Sequence, residues 1–341
     1  MKAALLYGVG DLRVEEVPRP VAGPGEVVIE VRGSGVCPSD IRSFTGAGSS
    51  KAPWTPGHEV AGTIVETGPE VDAPWDVAAR VVLDWRGVCG GCRQCRRGAA
   101  NFCEAVIKYP IAGFAQYTKM PVTQLRIIPD EVSFEAASFC EPLACVLNAH
   151  RAIPIEPAAD VLVLGSGPIG LLHTQVALRR GARVIVADRI PERLKVAGQL
   201  GAHDVVQVGD DGGLDEIRKL TDGYGPDALI VTVGAPAAIE SAFRMAGKNA
   251  VVNLFAGTHP KGSVSLDPDV PHYDQVTING SHDFSPGDFS TALRMLRFGL
   301  VDPALLISHR FPLTAVKDAF EMTMSQKGLK SVITPSEASE K

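Results

Sequence analysis

Residues 161–170 read VLVLGSGPIG, and this stretch decides the fold of the central part of the chain. Four apolar residues typical of a buried strand lead into the pattern Gly-x-Gly-x-x-Gly, and a helical pattern follows. The next apolar strand ends at Asp188. Glycines allow close approach of a pyrophosphate, and a helix N-terminus favours its negative charge. In this context the stretch predicts a dinucleotide-binding loop, with a glycine-rich turn that binds nothing as the alternative.

The residues expected around the dinucleotide follow from this arrangement. A carboxylate at Asp188 can accept hydrogen bonds from a ribose diol and disfavours a 2′-phosphate, which indicates NAD rather than NADP. Arg189 follows it and would act in the opposite direction, while Arg193 is either near the adenine or ribose or a solvated helix charge. The candidate cofactor-binding residues are Gly165, Gly167, Pro168, Ile169, Gly170, Asp188, Arg189, Arg193, Val233 and Gly234.

Beyond the loop, apolar strands alternate with helices as far as residue 280. Strands are predicted at 161–164, 183–188, 204–208, 228–233, 250–255 and 276–280, and helices at 168–180, 191–200, 213–221 and 236–247. Such alternation predicts a parallel, doubly wound α/β domain.

The N-terminal part is β-rich instead. Short Val- and Ile-rich segments separated by Gly, Pro and Asp predict strands at 2–7, 12–17, 26–32, 60–67 and 79–85. Helices are predicted from Phe134, with Ser133 as N-cap, and from Pro142. A helix starting at Pro142 would leave Glu141 extended or in a turn. The last part is predicted to hold helices at 285–298 and 313–325 and a strand at 331–334.

The composition limits the classes of function. The 341 residues suggest two domains, and 45% hydrophobic residues are enough to form cores. A net charge of −6 offers no basic field for nucleic acid or anionic membranes. The apolar runs are short and broken, so we expect neither a membrane span nor a signal peptide, and a cytoplasmic location.

Four of the seven cysteines form a cluster with metal-ligand spacing, Cys89-x2-Cys92-x2-Cys95-x7-Cys103. An odd number of cysteines in a large chain without an export signal favours metal binding over disulfides. Four thiolates so close together can hold one tetrahedral Zn²⁺. The spacing disfavours an iron–sulfur cluster, and the acidic chain disfavours a nucleic-acid zinc ribbon. Because four protein ligands leave no open position, the zinc of this lobe, residues 86–104, would be structural.

A second group of potential metal ligands consists of Cys37, His58, Glu59 and Glu141. A catalytic zinc needs about three protein ligands and an open position, which one thiolate, one imidazole and one carboxylate satisfy. Taken singly, Cys37 could be a buried small hydrophobe and Glu141 a charge at a helix entrance. The two cysteines outside both groups fit core positions better than ligand positions.

In this order the motifs closely resemble those of the zinc-dependent medium-chain dehydrogenase/reductase family. The resemblance runs from residue 2 to about residue 334. Glu141 together with Cys-x-Ser-Asp at 37–40 resembles the branch of polyol, sugar and threonine dehydrogenases. The matching pieces are GVCPSD at 35–40, GHE at 57–59, the four-cysteine lobe, GFAQY at 113–117, EPLA at 141–144 and the glycine loop.

The resemblance implies an α/β fold of two domains with an active site in the cleft. A GroES-like β-rich catalytic domain at 1–150 and 286–341 would be split around a Rossmann domain at 151–285. Two zinc ions per chain, NAD as cofactor and a homodimer or homotetramer are expected with this fold.

Roles for the second ligand group also come from the resemblance. It implies a catalytic zinc held by Cys37, His58 and Glu141. Glu59 would be a fourth or exchanging ligand. Ser39 would bond the substrate hydroxyl and start the proton relay.

The implied activity is interconversion of a secondary alcohol and its ketone, with hydride transfer to or from NAD. A polyol, sugar or cyclitol is the expected substrate. An L-threonine or amino-alcohol dehydrogenase, including one for aminocyclitols, is the alternative enzyme. A zinc-binding protein that keeps this fold without turnover is disfavoured because the ligands of an open metal site are intact.

The sequence departs from the family pattern at two positions. Pro38 follows the ligand cysteine where the family usually has glycine, and proline fixes φ there. Arg42 stands where a histidine often ends the relay, and arginine cannot release a proton at neutral pH. Candidates for lining the substrate pocket, each of which fits core or surface packing at least as well, are Phe44, Trp54, Trp85, His282 and Asp283.

Overall fold

Two large sheets organise the chain, and each lies in its own unit. The computed structural model describes residues 1–48, 52–209, 213–258 and 261–336. Contacts divide the chain into Met1–Pro142 with the segment from Ser285 onward, and Leu143–Phe284. These units follow contacts alone, so the domain boundaries expected at 150 and 286 stay a prediction.

The first unit is built largely on short strands, as the N-terminal sequence predicts. Its strands before residue 142 are β1 (Lys2–Gly8), β2 (Asp11–Glu16), β3 (Glu26–Gly35), β4 (Glu59–Thr67), β5 (Arg80–Leu83), β6 (Arg86–Gly87), β7 (Ile107–Lys108), β8 (Tyr117–Pro121) and β9 (Leu125–Ile127). The helices that begin in this segment are α1 (Pro38–Phe44), α2 (Arg93–Arg96), α3 (Phe134–Ser138) and α4 (Cys140–His150).

The second unit is a parallel sheet with helices between its strands, which confirms the predicted doubly wound domain. Its strands are β10 (Asp160–Leu164), β11 (Arg183–Asp188), β12 (Asp204–Gln207), β13 (Ala228–Val231), β14 (Val251–Leu254) and β15 (Thr277–Gly280). They lie in the order β12-β11-β10-β13-β14-β15, and all five pairings are parallel. Its helices after α4 are α5 (Pro168–Arg179), α6 (Pro191–Gln199), α7 (Leu214–Leu220), α8 (Pro236–Met245) and α9 (Asp269–Tyr273).

The C-terminal segment returns to the first unit and completes its main sheet. It contains α10 (Pro286–Arg297), β16 (Ile307–Pro312), α11 (Val316–Ser325) and β17 (Lys330–Thr334). The sheet has the order β16-β17-β3-β4-β5-β9, with β8 also paired to β3. Gly35 at the end of β3 lies opposite Glu59 of β4 and Val332 of β17. Three segments that are far apart in sequence therefore meet around Gly35.

The start of α4 differs from the sequence-based expectation. The helix begins at Cys140, two residues before Pro142, so Glu141 is helical rather than extended. The residue before a proline usually avoids the helical region, which is why the prediction was wrong. Pro142 is tolerated because N–H groups in the first turn of a helix have no partner within the helix.

Among the described residues, no helix combines the length and the apolar composition needed to cross a membrane.

Two buried histidines contact each other inside the second unit. Nδ1 of His173 on α5 and Nε2 of His150 on α4 are 3.1 Å apart, and the ring of His173 packs edge-on against Phe255. Burial lowers the pKa of His150 to about 3, with a smaller contribution from Arg180. Burial also lowers the pKa of His173 well below its ordinary value, and His150 adds to this effect. Both rings are therefore neutral near pH 7.

We expect this pair to make the second unit sensitive to acid. Above pH 6.5 the histidines are neutral in both the folded and unfolded states, so their full contribution to stability is present. Below pH 6.5 both histidines become protonated in the unfolded chain, whereas burial keeps them neutral in the folded protein. Each histidine then removes about 1.4 kcal/mol of stability per pH unit, down to about pH 3 for His150. Hydrogen exchange of the α4 and α5 amides between pH 7 and 4 measures the slope.

The matched comparison uses His150→Leu/His173→Leu, which removes both titrating groups while keeping apolar bulk. This double variant should lose stability less steeply below pH 6.5 than the unmodified protein. His272→Leu, at an exposed position, should leave the slope unchanged. Equal slopes for the double variant and the unmodified protein would contradict the role of the pair.

Candidate active site

The candidate catalytic ligands of the first unit lie at the ends of adjacent strands. Cys37 follows β3 and is the N-cap residue of α1, and His58 and Glu59 stand at the start of β4. One ligand atom from each of these three residues lies within 4.8 Å of the others. Pro38 is the first residue of α1, where a fixed φ suits a helix and no N–H is needed. The departure at Pro38 is therefore compatible with a ligand at Cys37.

Asp40 holds two of these residues in place. Its Oδ2 accepts a hydrogen bond from the backbone N–H of Cys37 at 3.0 Å, and its Oδ1 accepts one from the N–H of Gly57 at 3.2 Å. Oδ1 also lies 3.6 Å from Nδ1 of His58. Burial opposes a charged His58, but Asp40 and Cys37 outweigh it and raise the pKa of the imidazole well above its ordinary value. The sequence motif assigns no role to Asp40, because the helix α1 that places it in a first turn beside Cys37 was not predicted.

Glu59 forms a buried ion pair that the sequence did not predict. The ammonium of Lys330 on β17 lies 2.6 Å from Oε1 and 2.5 Å from Oε2 of Glu59. The side chains are 5% and 1% exposed, so neither charge is solvated by bulk water. Burial opposes the charge of Lys330, but Glu59 outweighs it and raises the pKa of the ammonium, with further contributions from Cys37 and Glu141. Lys330 therefore carries positive charge among potential metal ligands.

Gly35 leaves the space for this pair. A Cβ at position 35 would lie only 2.0 Å from Oε2 of Glu59 and 2.7 Å from Cε of Lys330. Any side chain there would displace the carboxylate or the ammonium. No local sequence signal links Glu59 to a lysine 271 positions away, so only the sheet reveals the pair.

Glu141 lies in the first turn of α4, 8% exposed, and is not part of the 4.8 Å group. Its Oε1 accepts a hydrogen bond from Nε1 of Trp85 at 3.4 Å. The ring of Trp85 also contacts the imidazole of His58 edge-on, with 6.3 Å between the ring centroids. Trp85 thus contacts both Glu141 and a member of the three-residue group.

The donor chemistry of this set fits zinc. A thiolate, an imidazole and a carboxylate are the ligand types that zinc takes in catalytic sites. The three ligand atoms lie within 4.8 Å of one another, so a movement of about 1 Å would bring them to the separation of roughly 3.4–3.8 Å found around zinc.

The four-cysteine lobe brings a second group of potential metal ligands together. One sulfur atom from each of Cys89, Cys92, Cys95 and Cys103 lies within 4.8 Å of the others, against about 3.8 Å between ligands of a tetrahedral zinc thiolate site. The N–H of Cys89 donates to Sγ of Cys103 at 3.3 Å, and the N–H of Cys92 donates to Sγ of Cys89 at 3.3 Å. Backbone N–H groups lower the pKa of Cys92 to about 6. Such donors stabilise thiolates, the form that binds metal.

The glycine loop of the second unit has the close packing that the pattern predicts. Gly165 has φ of +102°, and a Cβ on Gly170 would lie 1.8 Å from the carbonyl oxygen of Gly165. The loop leads from β10 into α5, whose first residue is Pro168. These glycines are therefore required by the turn and by the approach of helix to strand.

Asp188 at the end of β11 is bonded to the same loop. Its Oδ2 accepts hydrogen bonds from the N–H and the hydroxyl of Ser166 at 2.5 and 2.9 Å, and its Oδ1 accepts one from the N–H of Ile190 at 2.9 Å. The Nη1 atom of Arg193 lies 3.8 Å from the position of a Cβ on Gly167. Arg189 is exposed. Asp188 and Arg193 thus lie close to the loop, as the predicted cofactor site requires.

The remaining candidates fall in different environments. Val233 lies beside the loop, since a Cβ on Gly165 would be 2.7 Å from its Cγ1. Phe44 and Trp54 pack against a buried cluster of the first unit, so core packing explains them. The carbonyl oxygens of His282 and Asp283 accept hydrogen bonds from the side chain of Asn148. The other candidates, Ile169, Gly234, Ser39 and Arg42, are half-buried.

Comparisons with known proteins show which family this chain resembles. The family model for the alcohol dehydrogenase GroES-like domain matches residues 23–130, and the model for zinc-binding dehydrogenases matches residues 168–297. A sorbitol dehydrogenase of Bacillus subtilis is 31% identical over 98% of this chain and 97% of its own length. An L-threonine 3-dehydrogenase of Symbiobacterium thermophilum is 31% identical over 94% of each chain.

A solved structure extends the likeness to the fold. A Sinorhizobium meliloti 1021 protein assigned to the zinc-binding dehydrogenases and bound to NADP superposes with a TM-score of 0.90 at 28% identity. The match covers 98% of this chain and 99% of that one. With both family models matched in order and relatives aligned over nearly the whole length, the chain belongs to the zinc-dependent medium-chain dehydrogenase/reductase family.

Proposed function

We propose that this protein oxidises a secondary alcohol of a polyol, sugar or cyclitol to the ketone with NAD, or catalyses the reverse reduction. The approach of Cys37 and His58 to within 4.8 Å, with Trp85 contacting both His58 and Glu141, carries the proposal. It supplies the ligand chemistry of an open zinc site in a chain whose second unit has a dinucleotide loop. The similarity to a sorbitol dehydrogenase supports the substrate class.

In this proposal Cys37, His58 and Glu141 hold the catalytic zinc. Bound zinc supplies Lewis acidity, which lowers the pKa of the substrate hydroxyl. Glu59 would stay paired with Lys330 or serve as an exchanging ligand, and Asp40 orients the segment that carries Cys37. The four-cysteine lobe holds the structural zinc.

Ser39 bonds the substrate hydroxyl and takes its proton. Arg42 stands where a histidine often ends the relay in this family and cannot accept the proton. The proton that leaves through Ser39 would therefore pass to water or to a ribose hydroxyl of a bound cofactor rather than to Arg42.

The glycine loop would hold the cofactor, and Asp188 would accept hydrogen bonds from its ribose diol. The carboxylate at Asp188 favours NAD because it would repel a 2′-phosphate. Because a related structure contains NADP, the activity must be measured with NADP as well as with NAD.

A substrate panel tests the proposal. Polyols, aldoses, cyclitols and L-threonine are each offered with NAD and with NADP, and nicotinamide reduction is followed together with the zinc content. We expect about two zinc ions per chain and the highest kcat/KM for a polyhydroxylated alcohol with NAD. Preference for L-threonine would favour the amino-alcohol alternative, which the similarity to a threonine dehydrogenase keeps in view. Two bound zinc ions without turnover of any alcohol would favour the binding protein.

The assembly and location are also proposed. A homodimer or homotetramer is the expected state, which light scattering of the purified protein measures. A cytoplasmic location stays a prediction.

A further inference from the structure

Trp85 contacts two of the proposed zinc ligands at once. Its indole N–H donates to Oε1 of Glu141 at 3.4 Å, and its ring lies edge-on to His58. We propose that Trp85 is a positioning residue for the catalytic metal, orienting the Glu141 carboxylate and restricting the His58 ring. This inference rests on the proposed function for the identity of the ligands.

The position of the indole is itself fixed. The backbone oxygen of Trp85 accepts a hydrogen bond from the N–H of Tyr109 at 2.9 Å. The guanidinium of Arg86 lies 5.5 Å and the ammonium of Lys108 lies 5.9 Å from the ring centroid, within the range of cation–π attraction. Arg86 and Lys108 are also paired across the β6–β7 ladder. The ring is therefore held by neighbours that are themselves part of a sheet.

Arg86 connects the indole to a rigid surrounding. Arg86 is 5% exposed. Its backbone N–H donates to Oδ1 of Asp84 at 3.0 Å, and Nη2 of its guanidinium donates to the carbonyl oxygen of Asn101 at 2.8 Å. Asn101 belongs to the four-cysteine lobe. A tryptophan backed in this way can orient a ligand without a large loss of entropy when the metal binds.

The contacts of Trp85 predict which property depends on it. A donor on Oε1 fixes the rotation of the Glu141 carboxylate and selects which lone pairs face the metal. The ring edge limits rotation of the imidazole of His58. Removal of a residue that orients a metal ligand in this way typically weakens metal binding by roughly 10–100-fold. A residue that only lined the substrate pocket would change KM and leave metal affinity unaltered.

The test compares Trp85→Phe, which keeps an aromatic ring and removes the N–H donor, with Trp75→Phe. Trp75 packs against a buried cluster of the same unit and serves as the matched control. Metal affinity of the catalytic site is measured by chelator competition with the four-cysteine site loaded. The visible spectrum of the cobalt-substituted protein reports the ligand geometry. We expect Trp85→Phe to bind metal 10–100-fold more weakly with a shifted cobalt spectrum, and Trp75→Phe to match the unmodified protein.

A second measurement needs no change at Trp85. In a Trp54→Phe/Trp75→Phe background Trp85 is the sole tryptophan, because the chain has three. With the four-cysteine site already loaded, its fluorescence should change again when zinc fills the catalytic site. Unaltered fluorescence, or unmodified affinity and cobalt spectrum in Trp85→Phe, would overturn the inference. Absence of a second zinc in the unmodified chain would instead refute the proposed function.

Discussion

His58→Ala is expected to lower alcohol oxidation by about a thousandfold or more and to reduce the zinc content from two ions per chain to one. The imidazole is one of the three proposed zinc ligands, Cys37, His58 and Glu141, and a two-ligand remnant holds zinc poorly. The Lewis acidity lost with the metal is worth several kcal/mol in the transition state, and each 1.36 kcal/mol is a factor of ten in rate. Zinc analysis and steady-state kinetics on the same sample measure both effects.

Two control variants separate the two metal sites. His272→Ala removes an exposed histidine of the second unit and should leave both zinc content and rate unchanged. Cys95→Ala removes a lobe ligand and should release the structural zinc while the Cys37 site keeps its own. Full activity of His58→Ala with two zinc ions bound would exclude His58 from the site.

Much of the site follows from local sequence, because its ligands lie in short motifs. The cysteine spacing predicts the lobe, since the loop between the cysteines is too short to place them far apart. The glycine loop likewise predicts the turn between β10 and α5, because Gly165 and Gly170 meet steric limits set by the turn itself. Patterns that depend on a few neighbouring residues can therefore be recognised in the sequence before the fold is known.

The pairing of Glu59 with Lys330 shows what local sequence cannot predict. Glu59 lies on β4 and Lys330 on β17, and the two strands flank β3 in the sheet. This order of strands depends on the packing of the whole sheet, so the pair cannot be read from local sequence. The strands β8, β9 and β16 were also missed, because they are short and β-propensity depends on neighbouring strands. Glu141 was misread for a related reason. A local rule about proline was applied to a helix that starts two residues earlier.

Lys330→Met is expected to destabilise the zinc-free protein by roughly 3–5 kcal/mol, because it leaves the 1%-exposed Glu59 carboxylate without its cation. Metal near Glu59 would compensate part of that charge, so the loss should be smaller in the zinc-loaded protein. All three tryptophans belong to the first unit, so urea unfolding followed by fluorescence reports on the unit that contains the pair.

Glu59→Gln/Lys330→Met should recover most of the stability, since no buried charge is left alone. Lys119→Met is the matched control, because Lys119 pairs with Glu26 at 2.7 Å but is 46% exposed, and it should cost no more than about 1 kcal/mol. Equal stability of zinc-free Lys330→Met and the unmodified protein would contradict a stabilising ion pair between Glu59 and Lys330.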